Sequence, residues 1–411
     1  MNKEKKIKVN SISYFFLLFY FIAITTYQLG TGFDALFVRA TFIIWFIITL
    51  ILNRKIEMND LLKWGLLFWG FYFLSMIWAS DSNDTLYYLN NCIQIIGIFI
   101  CIPLITKKVN NINTILILII ISLVYSCLVL LIRTPKEIWG TDYIGMVMGL
   151  HRNAIGLRLS IGFLICIYFI HLNLENTKKI NIKVALLALI SILFASIALL
   201  TGSKKAFLSL FLGFISFEII NSKGVKIVFK IIIIAFICSF LIYYVFNNEL
   251  LYSALGNRIE HMILTIQGNN GVGQTDGSLL ERQYYINQAK YLFSKYPLFG
   301  YGGNNFVTFM REIKYKHIAY SHNNFWELLS TLGIVGFVIY YYMWIKMFIC
   351  YLKNYKEKKK LQSLLFLIII FIIIILDYGN VSYITDFNMI IFALSYSCYL
   401  KLNCNEEVEN E

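Results

Sequence analysis

Proline is nearly absent from this chain, with three in 411 residues. Little therefore interrupts a helix by removing a backbone donor. Charge is scarce as well: Asp, Glu, Lys and Arg make up 14%, against about 25% in a soluble domain. Hydrophobic residues reach 59% and aromatics 17%. That balance excludes a soluble globular domain and a disordered chain alike. The eight cysteines (Cys92, Cys101, Cys127, Cys166, Cys238, Cys350, Cys398 and Cys404) include no CxxC pair, and all but Cys404 lie in apolar stretches. A disulfide framework and a zinc site are both disfavoured. There is no HExxH, no histidine-rich run and no acidic cluster, so no metal site is expected. Without a P-loop or a GxGxxG opening a βαβ unit, neither ATP nor a dinucleotide is indicated, and no cofactor is predicted.

What is present is long apolar sequence. A membrane crossing needs roughly 20 apolar residues, and twelve stretches qualify: 12–29, 33–52, 61–79, 86–105, 112–132, 154–173, 182–200, 204–220, 226–246, 325–350, 361–377 and 384–400. The fold class expected is an all-α integral membrane protein of about 12 transmembrane helices. The first stretch follows a basic leader but lacks a small-x-small cleavage site, and reads as retained. Lysine and arginine orient the bundle: Lys3, Lys5, Lys6, Lys8, Arg54, Lys55, Lys107, Lys108, Lys178, Lys179, Lys223, Lys226 and the run from Lys353 to Lys360 fall in alternate connections. The intervening short loops 28–33, 80–85 and 377–383 hold neither. By the positive-inside rule both termini are cytoplasmic. The net charge of +13 is thereby read as topology, and nucleic acid is not a partner.

One connection is long. Residues 247–322 form a large, partly helical outer-face segment between spans 9 and 10, dividing the chain into a bundle at 1–246, the outer segment, and spans 10–12 with a cytoplasmic tail at 323–411. Ser278-Leu279-Leu280-Glu281 has the capping-box pattern; Tyr285, Ala289, Leu292, Phe293 and Tyr296 follow at helical spacing, and Pro297 closes the run. Such a helix is expected to lie flat on the outer membrane surface.

Basic residues on that outer side have no topological reason to be there. They gather at Arg152 and Arg158, at Lys204 and Lys205, and at Arg258, Arg282, Lys290, Lys295, Arg311, Lys314 and Lys316. At 100° per residue the apolar positions of the 279–296 helix fall between about −80° and +20° of Arg282. Arg282 thus sits inside the stripe, either snorkelling to headgroups or binding an anion. His151 and Arg158 share one helix face, and Asn153 is either a cap or part of a site. In Thr201-Gly202-Ser203-Lys204-Lys205 two lysines stand at a tight turn before a helix start, where phosphate binds readily; lipid headgroups are the plainer partner. His322, in Ser321-His322-Asn323-Asn324-Phe325-Trp326-Glu327, is either an acid–base group or a cap.

These motifs resemble the O-antigen ligase/polymerase superfamily. The carriers are Arg282, the turn Pro297-Leu298-Phe299-Gly300-Tyr301-Gly302-Gly303-Asn304-Asn305-Phe306, the His322–Leu329 segment and Leu332-Gly333-Ile334-Val335-Gly336; Thr201–Ala206 is similar to the family's "TgSRxa" turn, with Lys204 where arginine is usual. Lysine keeps the charge and loses the bidentate fork. The resemblance is specific over about 200–336. It implies a metal-independent glycosyltransferase whose donor, and acceptor, are undecaprenyl-diphosphate-linked oligosaccharides, acting at the outer face of the cytoplasmic membrane. It further implies catalytic roles for His322 (as base or acceptor-orienting group), Arg282 and Lys204. Substrate contacts would come from Arg152, Arg158, Ser203, Lys205, Arg258 and Asn323. A Wzy-type polysaccharide polymerase is the expectation, with possible association with a flippase and a chain-length regulator. The alternatives are a ligase moving finished glycan to lipid A core or protein, and a lipid-linked oligosaccharide flippase. Transporters carry midplane ionisable groups and repeats; here only Arg39 is plainly intramembrane, and no repeat is visible.

Overall fold

The computed structural model describes residues 3–27, 33–53, 56–106, 109–139, 141, 143–222, 225–267 and 277–409. Its regular elements are helices: α1 (Lys3–Thr26), α2 (Phe33–Asn53), α3 (Asp60–Leu74), α4 (Ser82–Leu86), α5 (Leu89–Ile105), α6 (Val109–Arg133), α7 (Arg152–Thr177), α8 (Ile182–Leu200), α9 (Lys204–Ile220), α10 (Val225–Asn247), α11 (Glu249–Leu251), α12 (Asn257–Ile266), α13 (Gly277–Lys295), α14 (Asn305–Glu312), α15 (Asn324–Lys358), α16 (Leu361–Leu376) and α17 (Asp386–Glu409). No strand occurs among the described residues. Polar side chains write several of the starts by accepting an otherwise orphaned amide. Asn59 caps Leu62 N–H at 2.9 Å, Asn181 caps Val184 N–H at 3.1 Å, and Asn248 caps Leu251 N–H at 3.1 Å.

Among the described residues, each of the twelve apolar stretches contains helix. Seven helices are long and apolar enough to cross a membrane: Phe33–Asn53, Asp60–Ile77, Ser82–Ile105, Asn111–Arg133, Arg152–Thr177, Ile182–Leu200 and Asn324–Lys358; Ser11–Thr26 and Leu361–Leu376 are shorter apolar helices. This is the architecture of a multi-pass membrane protein. Where described, the long connection holds α11 to α14 and a π turn at Tyr252–Gly256, with irregular backbone at 296–304 and 313–322; its residues 268–276 lie outside the described set.

The chain groups into two compact units, one of Met1–Ile48, Asn110–Asp276 and Leu352–Ile372, the other of Thr49–Val109, Gly277–Tyr351 and Ile373–Glu411. Residues 247–276 therefore pack with the first unit and 277–322 with the second, a grouping by contact rather than by membrane side. In the first unit α7 is the central helix, buried along most of its length from Ile155 to Phe169. At its far end His171 Nε2 and Lys230 Nζ each lie 2.6 Å from a Glu218 oxygen, tying α7, α10 and α9. In the second unit Trp64, Phe68, Tyr340, Trp344 and Phe392 form an aromatic core, and α5 packs along α17.

The expected amphipathic helix is α13, starting one residue before the capping box. Its stripe is covered by protein: Tyr285, Ala289 and Leu292 pack with Phe306, Phe309 and Met310, mainly from α14. Phe293 is half-buried and Tyr296 is 47% exposed, so the stripe is narrower than the periodicity predicts.

Between these elements, α15 breaks open. Gly333 has φ 64° and ψ −169° inside the helix. The amides that would close the helical ladder onto Ser330 and Thr331 turn aside: Ile334 N–H donates to the Pro297 carbonyl at 2.9 Å and Val335 N–H to the Leu298 carbonyl at 3.3 Å. The released carbonyls of Ser330 and Thr331 accept from Tyr301 N–H at 2.9 Å and Gly302 N–H at 2.8 Å. The 297–302 turn is thus spliced into the broken helix, and these four groups of α15 stay paired. Backbones approach so closely that a Cβ on Gly300 (φ 71°) would stand 2.3 Å from the Thr331 carbonyl, and one on Gly333 2.3 Å from the Leu298 oxygen. Gly300→Ala and Gly333→Ala are each expected to lower the melting midpoint sharply in detergent. Left-handed backbone alone costs an L-residue about 1–2 kcal/mol, before the clash is counted. Gly70→Ala, where a Cβ meets nothing within 4 Å, is the matched control and should leave the midpoint unchanged.

Candidate functional site

The first unit holds Arg152, Arg158, Ser203, Lys204, Lys205 and Arg258. His151 starts α7 as its cap, with Nδ1 accepting from Asn153 N–H at 3.2 Å. Asn153 is therefore not the cap. Its Oδ1 instead accepts from Ser203 Oγ at 2.7 Å, while Ser203 Oγ accepts from Ala206 N–H at 3.2 Å and so caps α9. These bonds join the starts of α7 and α9. Ser203 is 2% exposed and engaged at both functions of its hydroxyl. Arg258 donates to the Gly202 carbonyl at 3.2 Å, bringing the segment after the π turn to the lysine turn. Arg158 reaches the Thr25 carbonyl at 3.2 Å, and Arg152 is buried at 9% exposure. Lys204 and Lys205 are half-buried at the first turn of α9. Sequence distance separates these cations; the 151–153 and 201–206 starts bring them to one neighbourhood of this unit.

The second unit holds Arg282, His322 and Asn323. Asn323 is fully buried, with Oδ1 accepting from Trp326 N–H at 3.1 Å and Nδ2 donating to the Tyr378 carbonyl at 3.0 Å. It is the residue that caps α15. His322 itself has φ 56°, a left-handed conformation that a non-glycine residue adopts at a cost and that clusters at functional sites. Its ring lies 4.2 Å from that of Tyr320 and 5.7 Å from that of Tyr285. Arg282, one turn before Tyr285 on α13, is half-buried and acts electrostatically on the Tyr320 phenol. Burial pushes that phenol up, Arg282 pulls it down, and Glu327 raises it again. Tyr285 is also raised, by burial first; its hydroxyl shares a proton between Glu281 Oε1 at 3.0 Å and the His317 carbonyl at 2.8 Å. The structure thus brings Arg282 and His322 together around two tyrosines.

Other cations of the long connection have structural partners. Arg311 is ion-paired to Asp84, which also takes Thr308 Oγ1, and lies 3.8 Å from Asp81. Lys290 stands 5.2 Å over the Trp326 ring and Lys295 5.6 Å over that of Tyr291. Arg282 makes no ion pair among the described residues.

Glu327, the carboxylate of the His322 motif, is not among the residues that the resemblance assigns. It is 1% exposed, and its Oε2 accepts from Ser321 N–H at 2.7 Å, pinning the residue before His322. The available signal was a lone carboxylate inside an apolar run, which membrane energetics make a functional candidate. The tyrosines near it, Tyr72, Tyr88 and Tyr383, carried no signal, because interfacial belts supply tyrosine everywhere. Among the described residues no group of three or more His, Cys, Asp or Glu is arranged to hold a metal ion.

Because His322 is left-handed, His322→Gly is expected to melt above His322→Ala, both having lost the imidazole and only the alanine keeping the backbone cost. A glycine variant that melts no higher than the alanine variant in a thermal melt would overturn this.

No curated protein matches this chain. Residues 189–341 match the family model described as O-antigen ligase. That range contains the lysine turn, Arg258, Arg282, the spliced glycine turn and His322, and leaves out Arg152 and Arg158. Over residues 189–341, then, this membrane protein is similar to the O-antigen ligase family, whose members are glycosyl-transferring enzymes.

Proposed function

We propose that the protein is a polysaccharide polymerase, transferring a growing glycan from its polyprenyl diphosphate onto the sugar end of another lipid-linked repeat unit at the outer face of the cytoplasmic membrane. The observation that carries this reading is the half-buried Arg282, without an ion-pair partner among the described residues, grouped with Tyr320 and His322 in one unit. A fixed cation beside an imidazole suits a reaction in which a diphosphate departs while a hydroxyl loses its proton.

In this reaction an acceptor hydroxyl oxygen bonds to the anomeric carbon of the donor. The bond from that carbon to the diphosphate oxygen breaks, and its electron pair leaves with the diphosphate. Arg282 and Lys204 stabilise the charge that develops, each charge-assisted hydrogen bond contributing about 1.5–3 kcal/mol. His322 receives the hydroxyl proton or orients the acceptor. Arg152, Arg158, Lys205 and Arg258 are assigned to the anionic and polar parts of the donor. Ser203 and Asn323 enter as positioning residues, since their side chains are engaged in helix caps. The leaving group supplies the driving force, so neither metal nor ATP enters the scheme.

A ligase shares the donor and differs in the acceptor, and a flippase would release no diphosphate. One experiment separates them: the purified protein reconstituted with lipid-linked repeat units, without ATP and with EDTA. A ladder of longer lipid-linked products and free polyprenyl diphosphate supports the polymerase. Single-step transfer to lipid A core or protein selects the ligase, and transbilayer movement without bond cleavage selects the flippase. His322→Ala is expected to lower transfer at least about 10²-fold with membrane insertion intact; Lys204→Ala is expected to lose long glycan, and Lys204→Arg to retain it. Chains of normal length in both alanine variants would overturn the site assignment.

A further inference from the structure

At the end of the first unit where α7 and α9 finish, lysine and exposed isoleucine occur together. Lys178 and Lys179 follow α7, and Lys183 lies in the first turn of α8; all three are exposed. The connection that bears them is held at both ends. Lys178 (φ 52°) closes α7, its N–H donating to the Leu174 carbonyl at 2.9 Å, and Asn181 caps α8. Among the lysines stand Ile180, 82% exposed, and Ile182, 74% exposed.

A second basic segment reaches the same end. Lys353 and Lys356, near the end of α15, and Lys360, just before α16, are exposed. The Tyr355 hydroxyl donates to the Ile220 carbonyl at 3.1 Å, where α9 finishes, and the Glu218–His171 contact joins α9 to α7. Ser363 Oγ donates to Asn354 Oδ1 at 2.9 Å across the α15–α16 turn. Both basic segments are therefore fixed to the bundle.

The positive-inside rule accounts for cations on one side of a membrane, but not for bare isoleucines set among them. Against the lysines stand two exposed carboxylates, Glu175 and Glu357. None of these six lysines makes an ion pair among the described residues. Lys183 and Lys360 stand at helix starts, where the backbone dipole disfavours a cation, so their own helices do not hold them. Uncompensated cations beside exposed apolar side chains fit an anionic bilayer surface, with phosphates at the level of the lysines and acyl chains beneath. An acidic peptide would match the charge and leave the isoleucines in water. We propose that Lys178, Lys179 and Lys183, with Lys353, Lys356 and Lys360, bind the phosphates of anionic phospholipids, while Ile180 and Ile182 sit among the acyl chains. This lipid-binding face anchors one end of the first unit and is independent of the reaction proposed above.

The test uses the full-length protein in phosphatidylcholine vesicles, with spin-labelled phosphatidylglycerol or spin-labelled phosphatidylcholine as the probe. The unaltered protein should retain the phosphatidylglycerol label at least about fivefold more strongly, the effect of one basic residue at an anionic surface. Salt at about 1 M should remove that preference. Lys178→Gln/Lys179→Gln/Lys183→Gln and Lys353→Gln/Lys356→Gln/Lys360→Gln should each reduce it, and arginine at the same positions should keep it. Cysteine accessibility checks the topology of each variant, and single Lys→Gln changes stand in for any triple that alters it. In detergent, phosphatidylglycerol should raise the melting midpoint and phosphatidylcholine should not. Ile180→Ser/Ile182→Ser, with every charge kept, should reduce that rise. Equal retention of the two labels, or a preference that both glutamine triples keep, overturns the proposal. Indifference to lipid together with binding of a polyglutamate peptide overturns it in favour of an acidic protein partner.

Discussion

Four backbone hydrogen bonds between the 297–302 turn and the interrupted α15 hold the second unit's functional parts in register. In the hydrocarbon region an unpaired amide or carbonyl costs several kcal/mol, so a membrane helix can open only where another backbone takes over its bonds. Here the exchange is complete: two helical bonds are given up at Gly333 and four are made across to the turn. The turn closes α13, which bears Arg282, and leads into α14, whose apolar residues cover Tyr285. The opened helix begins at Asn324, just after His322. Arginine and histidine from distant parts of the sequence share a neighbourhood because one splice determines where both segments start.

This arrangement explains why the glycine-rich turn has no need of a phosphate to account for its composition. Gly300 and Gly333 are where two main chains pass with no space for a Cβ. Close approach, and not ligand binding, is the physical demand on them. The same distinction sorts the cations of the long connection. Arg311 is held by Asp84, and Lys290 and Lys295 rest on aromatic faces, so their positions follow from packing. Arg282 stands apart, and its neighbours are polar groups whose protons can move.

Glu327 bears on the backbone before His322: its buried Oε2 accepts from Ser321 N–H at 2.7 Å, so a side chain in the first turn of α15 holds the segment that leads into that helix.

Several features were legible before any coordinate. Scarce charge and proline dictate helices in a membrane, because hydrocarbon requires backbone pairing within each segment, and hydropathy alone locates the stretches. Local chemistry also shows through: the capping box and Pro297 bracket α13 to within a residue or two, and the motif around His322 marks the superfamily segment. What sequence spacing could not reveal is which polar side chain is already engaged. Asn153 and Ser203 bond to each other across fifty residues, Asn323 caps α15, and α14 takes the apolar stripe of α13 that periodicity assigns to the bilayer. Nor does any local pattern show that Gly300 lies against the Thr331 backbone and Gly333 against that of Leu298. Propensity and hydropathy act over a few residues and are written in the chain. Hydrogen-bond satisfaction and burial are properties of neighbours brought together from afar, and only the tertiary structure decides them.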